Sequence, residues 1–256
     1  MPKLAANLTM MFPEYKPLER FERAARAGFK YVEYLFPYKF EAAQLKEHID
    51  RLGLKQVLFN CPPGDFGAGD RGIAIFPDRK EEFKKTIETA LAYAEVLDVE
   101  RLHVMAGIPD TKKDPKLQYD TYVENIRYAA KQASGRQILL EPLNVKDVPG
   151  YFINSQDITA RIIEEIGEPN VRLQFDFYHC QIMQGNLAER FENLLEHIGH
   201  VQIAGVPGRH EPDNGEINYP FLFDLMDRLG YDGYVGCEYV PAGKTEAGLG
   251  WAKSYL

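Results

Sequence analysis

Cysteine is scarce in this chain, and basic charge is outnumbered. The 256 residues hold three cysteines, Cys61, Cys180 and Cys237, widely spaced and with no Cys-x-x-Cys pair. An odd, unpaired set argues against a disulfide framework and a cysteine-built zinc site. Free thiols in a reducing compartment, the cytoplasm, are the expectation. Lys plus Arg number 30 against 38 Asp plus Glu, a net charge of −8. Neither nucleic acid nor an anionic membrane attracts such a chain, so no partner of either kind is expected. No apolar run approaches the roughly 18 residues of a membrane span. Met1 to Asn7 lacks the basic-then-apolar order of a signal peptide. The P-loop, the Gly-x-Ser-x-Gly elbow and His-Glu-x-x-His are also missing, so serine-hydrolase and zincin readings have no support.

What is present suffices for a large core, with 45% of residues hydrophobic and 27% charged. Short apolar runs alternate with longer amphipathic stretches. The runs predict strands at Leu4 to Met11, Tyr31 to Phe36, Lys55 to Asn60 and Arg101 to Met105. Four more follow at Gln137 to Glu141, Val171 to Asp176, His200 to Ala204 and Tyr234 to Tyr239. Helical spacing fills the gaps, from Leu18, Glu41, Lys80, Lys116, Leu187, Phe221 and Thr245, and from a helix that Ser155 caps. Strands separated by helices pair in parallel with right-handed crossovers. Eight such units in this length predict a (β/α)8 TIM barrel, one domain over 1–256, with an open doubly wound sheet as the alternative.

In such a barrel the active site lies at the C-terminal ends of the strands. Strand five ends in Glu141, strand six in Asp176 and strand eight in Glu238, while strand seven carries Gln202. These positions recur about one unit apart, so four oxygen-bearing side chains converge on one mouth. An Arg partner or a helix cap would account for any one of them; four at matching strand ends point to a site. Three carboxylates in one cavity repel, so some stay protonated or a cation neutralises them. An all-oxygen set suits Mg²⁺ or Mn²⁺.

Other polar residues surround this set. His179, just past strand six, is placed to hydrogen-bond a substrate hydroxyl or carbonyl, or to support its neighbours. His103, inside strand four, reads as a satisfied core histidine. Asn7, Asn60 and Glu33 are placed on the opposite wall. In the polar segment Gly208 to Tyr219, Arg209 has the planar fork that holds a substrate carboxylate, with His210 assisting and Glu216 organising the loop. Gly67-Ala-Gly-Asp-Arg-Gly72 matches G-x-G-x-x-G, but Pro62 and Pro63 precede it and Phe76-Pro77 parts it from the next helix. It reads as a mobile loop over the mouth, not a nucleotide site.

Eight motifs are more specific together than apart. They are Asn7-Leu-Thr-Met-Met-Phe12, Phe36-Pro-Tyr38, Asn60-Cys-Pro-Pro-Gly-Asp65, Asn125-Ile-Arg-Tyr-Ala-Ala130, Glu141-Pro-Leu-Asn144, His200-Val-Gln-Ile-Ala-Gly205, Gly215-Glu-Ile-Asn-Tyr219 and Gly236-Cys-Glu-Tyr239. Along the whole chain they resemble the hydroxypyruvate isomerase family. That family lies within the xylose-isomerase-like barrels, a group that also holds sugar epimerases and an apurinic endonuclease. From His200 to Tyr239 the chain looks most like the 2-oxo-tetronate isomerase branch. The resemblance implies a small sugar-acid substrate, a 2-oxo acid with a 3-hydroxyl, exchanged with its 2-hydroxy-3-oxo isomer through an enediol. It implies Glu141 and Glu238 as catalytic residues, and Glu141, Asp176, Gln202 and Glu238 as metal positions. Related epimerases often place His where this chain has Gln202, a weaker ligand. A ketose 3-epimerase, an endonuclease-like hydrolase and a non-catalytic sugar-acid binder remain as alternatives, and a homo-oligomer is compatible with the sequence.

Overall fold

The apolar runs become the staves of one closed barrel. The structure is a computed structural model and describes residues 1–256. Its strands are β1 Lys3–Asn7, β2 Tyr31–Glu33, β3 Lys55–Asn60, β4 Arg101–His103, β5 Gln137–Leu140, β6 Val171–Asp176, β7 Ile198–Ile203 and β8 Tyr234–Cys237. They pair in chain order, all parallel, and β1 pairs with β8 to close the ring. Around them run α1 Glu19–Arg26, α2 Ala42–Arg51, α3 Lys80–Leu97, α4 Pro115–Gln132, α5 Gln156–Ile166, α6 Phe177–Met183, α7 Leu187–Leu194, α8 Tyr219–Arg228 and α9 Thr245–Gly248. No helix is long and apolar enough to cross a membrane.

Alternation along the strands sorts the core into two parts. On β6, Leu173 and Phe175 face the helices, and Phe175 packs on Phe177 and Phe191 with ring centres 4.9 and 5.6 Å away. The intervening Gln174 and Asp176 face inward. Glu33 of β2 bonds His200 and Gln202 of β7, which is not its neighbour in the ring, so these contacts cross the interior. The upper interior is thus polar and hydrogen-bonded, while the apolar core lies between sheet and helices.

Local chemistry explains where the predicted boundaries shift. β1 stops at Asn7 rather than Met11, because Asn7 Oδ1 accepts the Thr9 backbone N–H at 3.1 Å and turns the chain. β5 and β8 end at Leu140 and Cys237, so Glu141 and Glu238 stand one residue past the ladder. The short α6 is not expected from the sequence; Asp176 Oδ1 caps it by accepting from the Tyr178 N–H at 2.7 Å. β7 begins two residues before His200, since the last turn of the preceding helix tightens to a 3₁₀ form at 195–197. Ser155 caps α5 as predicted, its Oγ accepting from the Ile158 N–H.

Candidate active site

At the C-terminal mouth, a cavity of about 200 Å³ opens among the strand ends. That is below the roughly 300–1,000 Å³ of sites for drug-sized ligands, so it suits a molecule of a few carbons. Glu141, His179, Arg209 and Glu238 line it, together with Asn60 and Arg71. A second cavity of about 240 Å³ lies beside α1 and α2, walled by groups such as Phe21, Phe36 and Leu45, and gathers no acid.

Glu141, Asp176, His179 and Glu238 each place one potential ligand atom within 4.8 Å of the others, and all four are buried. Burial, then repulsion from Glu238 and Asp176, holds the Glu141 carboxyl well above the ordinary range. Burial likewise pushes Glu238 up to about 8, against the pull of Arg209, and Asp176 up to about 6. Glu141 Oε1 and Asp176 Oδ2 accept no hydrogen bond although both are buried. Partnerless oxygens on crowded acids fit a cation, and this cluster can hold a divalent metal.

His179 fits that role less well than its place suggests. Its Nδ1 accepts from the Asn144 backbone N–H at 3.1 Å, so the neutral ring carries its proton on Nε2. That nitrogen faces Glu141 Oε1 and Asp176 Oδ2, each at 3.7 Å. Burial, then Arg209 and His103, keeps the ring pKa well below its usual value. A neutral Nε2–H donates rather than ligates, so of the four groups the three carboxylates are the ones suited to hold a metal.

Arg209 sits at φ +57°, a conformation side chains adopt at a cost. Its Nη2 donates to Glu238 Oε2 at 2.5 Å and lies 3.8 Å from Asp176 Oδ2. Its guanidinium lies 4.9 Å from the Tyr178 ring centre. Burial opposes its charge, but Glu238, Asp176 and Glu141 hold it firmly protonated.

The other residues singled out in the sequence divide. Asn60 lines the cavity. Asn7 is buried and donates to Glu33 Oε1 at 3.0 Å and Glu238 Oε1 at 3.1 Å, so it positions Glu238 from behind. Gln202 stands level with Asp176 on the ladder. Its amide is turned away from the cluster, with Nε2 donating to Glu33 at 2.8 Å and Oε1 accepting from Gln174 at 2.6 Å. The expected fourth oxygen ligand is therefore engaged in the inner network instead. His210 bonds the Val240 carbonyl at 2.8 Å and is not part of the cavity wall, which differs from the expectation that it meets substrate. Glu216 accepts from Gln181 and ties the loop to α6.

His103 is buried as expected but not satisfied. Neither ring nitrogen has a hydrogen-bond partner, Nδ1 is 3.5 Å from Glu141 Oε2, and the ring lines the cavity. Burial, then His200, takes its pKa down to about 3, so it is neutral. Arg71 and Asn144 join the site without having stood out in the sequence. Asn144 left a trace in the Glu141-Pro-Leu-Asn144 motif. Arg71 lies in a glycine-rich segment with no periodicity, where only the rule that loops carry function could point to it.

A family model of xylose isomerase-like TIM barrels matches residues 21–255. The chain belongs to this family. The 2-oxo-tetronate isomerase of Cupriavidus necator is 52% identical over 100% of this chain and 99% of its own length. The hydroxypyruvate isomerase of Escherichia coli is 41% identical over the whole of both chains. A solved structure from Brucella melitensis, described as AP endonuclease, family 2, superimposes with a TM-score of 0.98 at 49% identity, covering 100% of this chain and 99% of that one. The likeness to these relatives therefore spans the barrel from end to end, mouth included.

Proposed function

We propose that the protein is an isomerase that interconverts a short 2-oxo-3-hydroxy acid and its 2-hydroxy-3-oxo isomer, with 2-oxo-tetronate preferred over hydroxypyruvate. The observation that carries this is the pair Glu141 and Glu238, two buried carboxyls with raised pKa values on the wall of one small cavity. Carboxyl pKa values raised above the ordinary range suit both proton removal and proton return.

In this reading, one glutamate in its ionised form takes the proton from the hydroxyl-bearing carbon. The bonding electrons form the 2,3-enediolate. The 2-oxo oxygen receives the proton of the 3-hydroxyl, and the partner glutamate delivers a proton to carbon two. His179 Nε2–H and Arg209 face the developing charge and donate to it. Asn7 holds Glu238 in place. Glu141, Asp176 and Glu238 would hold a divalent cation, Mg²⁺ or Mn²⁺ by their all-oxygen chemistry, which when bound supplies positive charge to polarise the carbonyl. The three free, buried thiols support a reducing compartment, the cytoplasm.

An endonuclease reading is disfavoured by the net charge of −8, which does not attract a nucleic-acid backbone. The test offers 2-oxo-tetronate and hydroxypyruvate separately, each with EDTA and with added Mg²⁺ or Mn²⁺. The expected result is isomerisation of both, faster with the four-carbon acid, lost in EDTA and restored by the ion. No turnover of either acid with any ion, alongside epimerisation of a ketose, would overturn it.

A further inference from the structure

A 2-oxo acid brings a carboxylate of its own, and beside Glu141, Asp176 and Glu238 that group needs a receiver that also orients it. This inference rests on the isomerase reading and concerns the receiver. Arg209, the residue the sequence favours, has its charge taken up by Glu238 at 2.5 Å and by Asp176 at 3.8 Å. His103 is turned to Glu141, and His179 to Glu141 and Asp176. The wall holds one further cation, Arg71, on the segment between β3 and α3.

Arg71 is held, yet half of it is free. Its Nη1 donates to the carbonyls of Asp70 at 2.8 Å and Phe66 at 3.3 Å, and its guanidinium lies 4.0 Å from the Phe66 ring centre. No carboxylate pairs with it, and Nε and Nη2 donate to no protein group. Those two nitrogens form one edge of the guanidinium, the geometry that takes a carboxylate by two parallel hydrogen bonds.

The backbone on both sides of Arg71 is pinned. The Asp70 carboxylate accepts from Arg79 at 3.1 and 2.9 Å and from the Asp65 N–H at 2.8 Å. Gly72 forms an antiparallel bridge with Ala106, just past the end of β4. Gly72 has φ +107° and approaches the Met105 carbonyl so closely that a Cβ would overlap it. The sequence reads this segment as a mobile loop; these bonds make it a fixed arm that presents Arg71 to the mouth.

We propose that Arg71 binds the substrate carboxylate and sets the preference of this barrel for sugar acids over neutral ketoses. The test compares the parent with Arg71→Met and Arg71→Lys. Substrates are 2-oxo-tetronate and its neutral counterpart, the four-carbon ketose with CH₂OH in place of the carboxylate. Arg71→Met should lower the acid-over-ketose ratio of kcat/KM on the order of 100-fold, mostly through KM, and Arg71→Lys should recover part. A merely structural arm would lower both substrates alike and leave the ratio unmoved. Calorimetric titration with the unreactive 2,3,4-trihydroxybutanoate gives a readout free of turnover, and Arg71→Met should bind it more weakly by a similar factor. A ratio and an affinity within about threefold of the parent overturn the assignment, even if both acids isomerise. Weakened binding in Arg71→Met, with no isomerisation by the parent, would keep the carboxylate site and overturn the isomerase reading instead.

Discussion

Replacing Asp176 by Asn should make the metal-free protein more stable at neutral pH, although it removes a carboxylate that faces Arg209 in the heart of the site. Asp176 is fully buried, and its Oδ2 has no hydrogen bond. Burial raises its carboxyl from the usual 3.8 to about 6, a shift that Arg209 and the N–H groups of Tyr178 and His179 only partly oppose. The sign follows from linkage. The unfolded chain releases this proton near 3.8, whereas the folded chain keeps it to about 6. Stability is therefore lost as pH rises between those values and stays lower above them. At 1.36 kcal/mol per unit, the two-unit shift is worth about 3 kcal/mol above pH 6. Asn has the same shape and can keep the α6 cap through its Oδ1, but carries no charge. Allowing for the lost attraction to Arg209, Asp176→Asn should gain about 1–3 kcal/mol at pH 8. In a chain of this size that is roughly 2–12 °C in Tm. Thermal denaturation in EDTA from pH 4 to 8 reads it out, with the gain vanishing toward pH 4. Added Mn²⁺ should stabilise the parent more than the variant, since binding to the folded state alone raises its stability. A variant less stable than the parent at pH 8, or a difference that does not vary with pH, would refute the reasoning.

Other outcomes follow from the same geometry. Glu141→Gln and Glu238→Gln should each lower kcat by about 10²–10⁴-fold, with far-ultraviolet circular dichroism unchanged, because each removes a proton carrier while keeping its shape. Gly236→Ala should cost about 1–3 kcal/mol in urea unfolding, because its Cβ would overlap the Glu33 carboxylate. The same change should lower kcat, since Glu33 and Glu238 share the Asn7 amide.

The barrel is legible in the sequence because its signal repeats. Eight apolar runs at near-constant spacing leave few topologies, and the later runs end where a polar residue begins. Glu141, Asp176 and Glu238 are legible for the same reason, as acids at the ends of apolar runs. Partner choice is not legible. Gln202 has a ligand's position, yet Glu33 and Gln174 claim both ends of its amide, and the Glu33 contact crosses the barrel between strands far apart in sequence. Arg209 has the right fork for a carboxylate, but its backbone conformation delivers it to Glu238. Arg71 stays hidden because its placement depends on Gly72 lying against Met105, a long-range approach that no local pattern encodes.

The central claim is that Glu141 and Glu238 move a carbon-bound proton through an enediol. Isomerisation in D₂O, followed by proton NMR with 2-oxo-tetronate as substrate, tests it most directly. The account predicts deuterium at the newly formed carbon–hydrogen position in the parent, and both product and exchange slowed together by about 10²–10⁴-fold in Glu141→Gln and Glu238→Gln. Exchange and turnover at near-parent rates in both variants would contradict it.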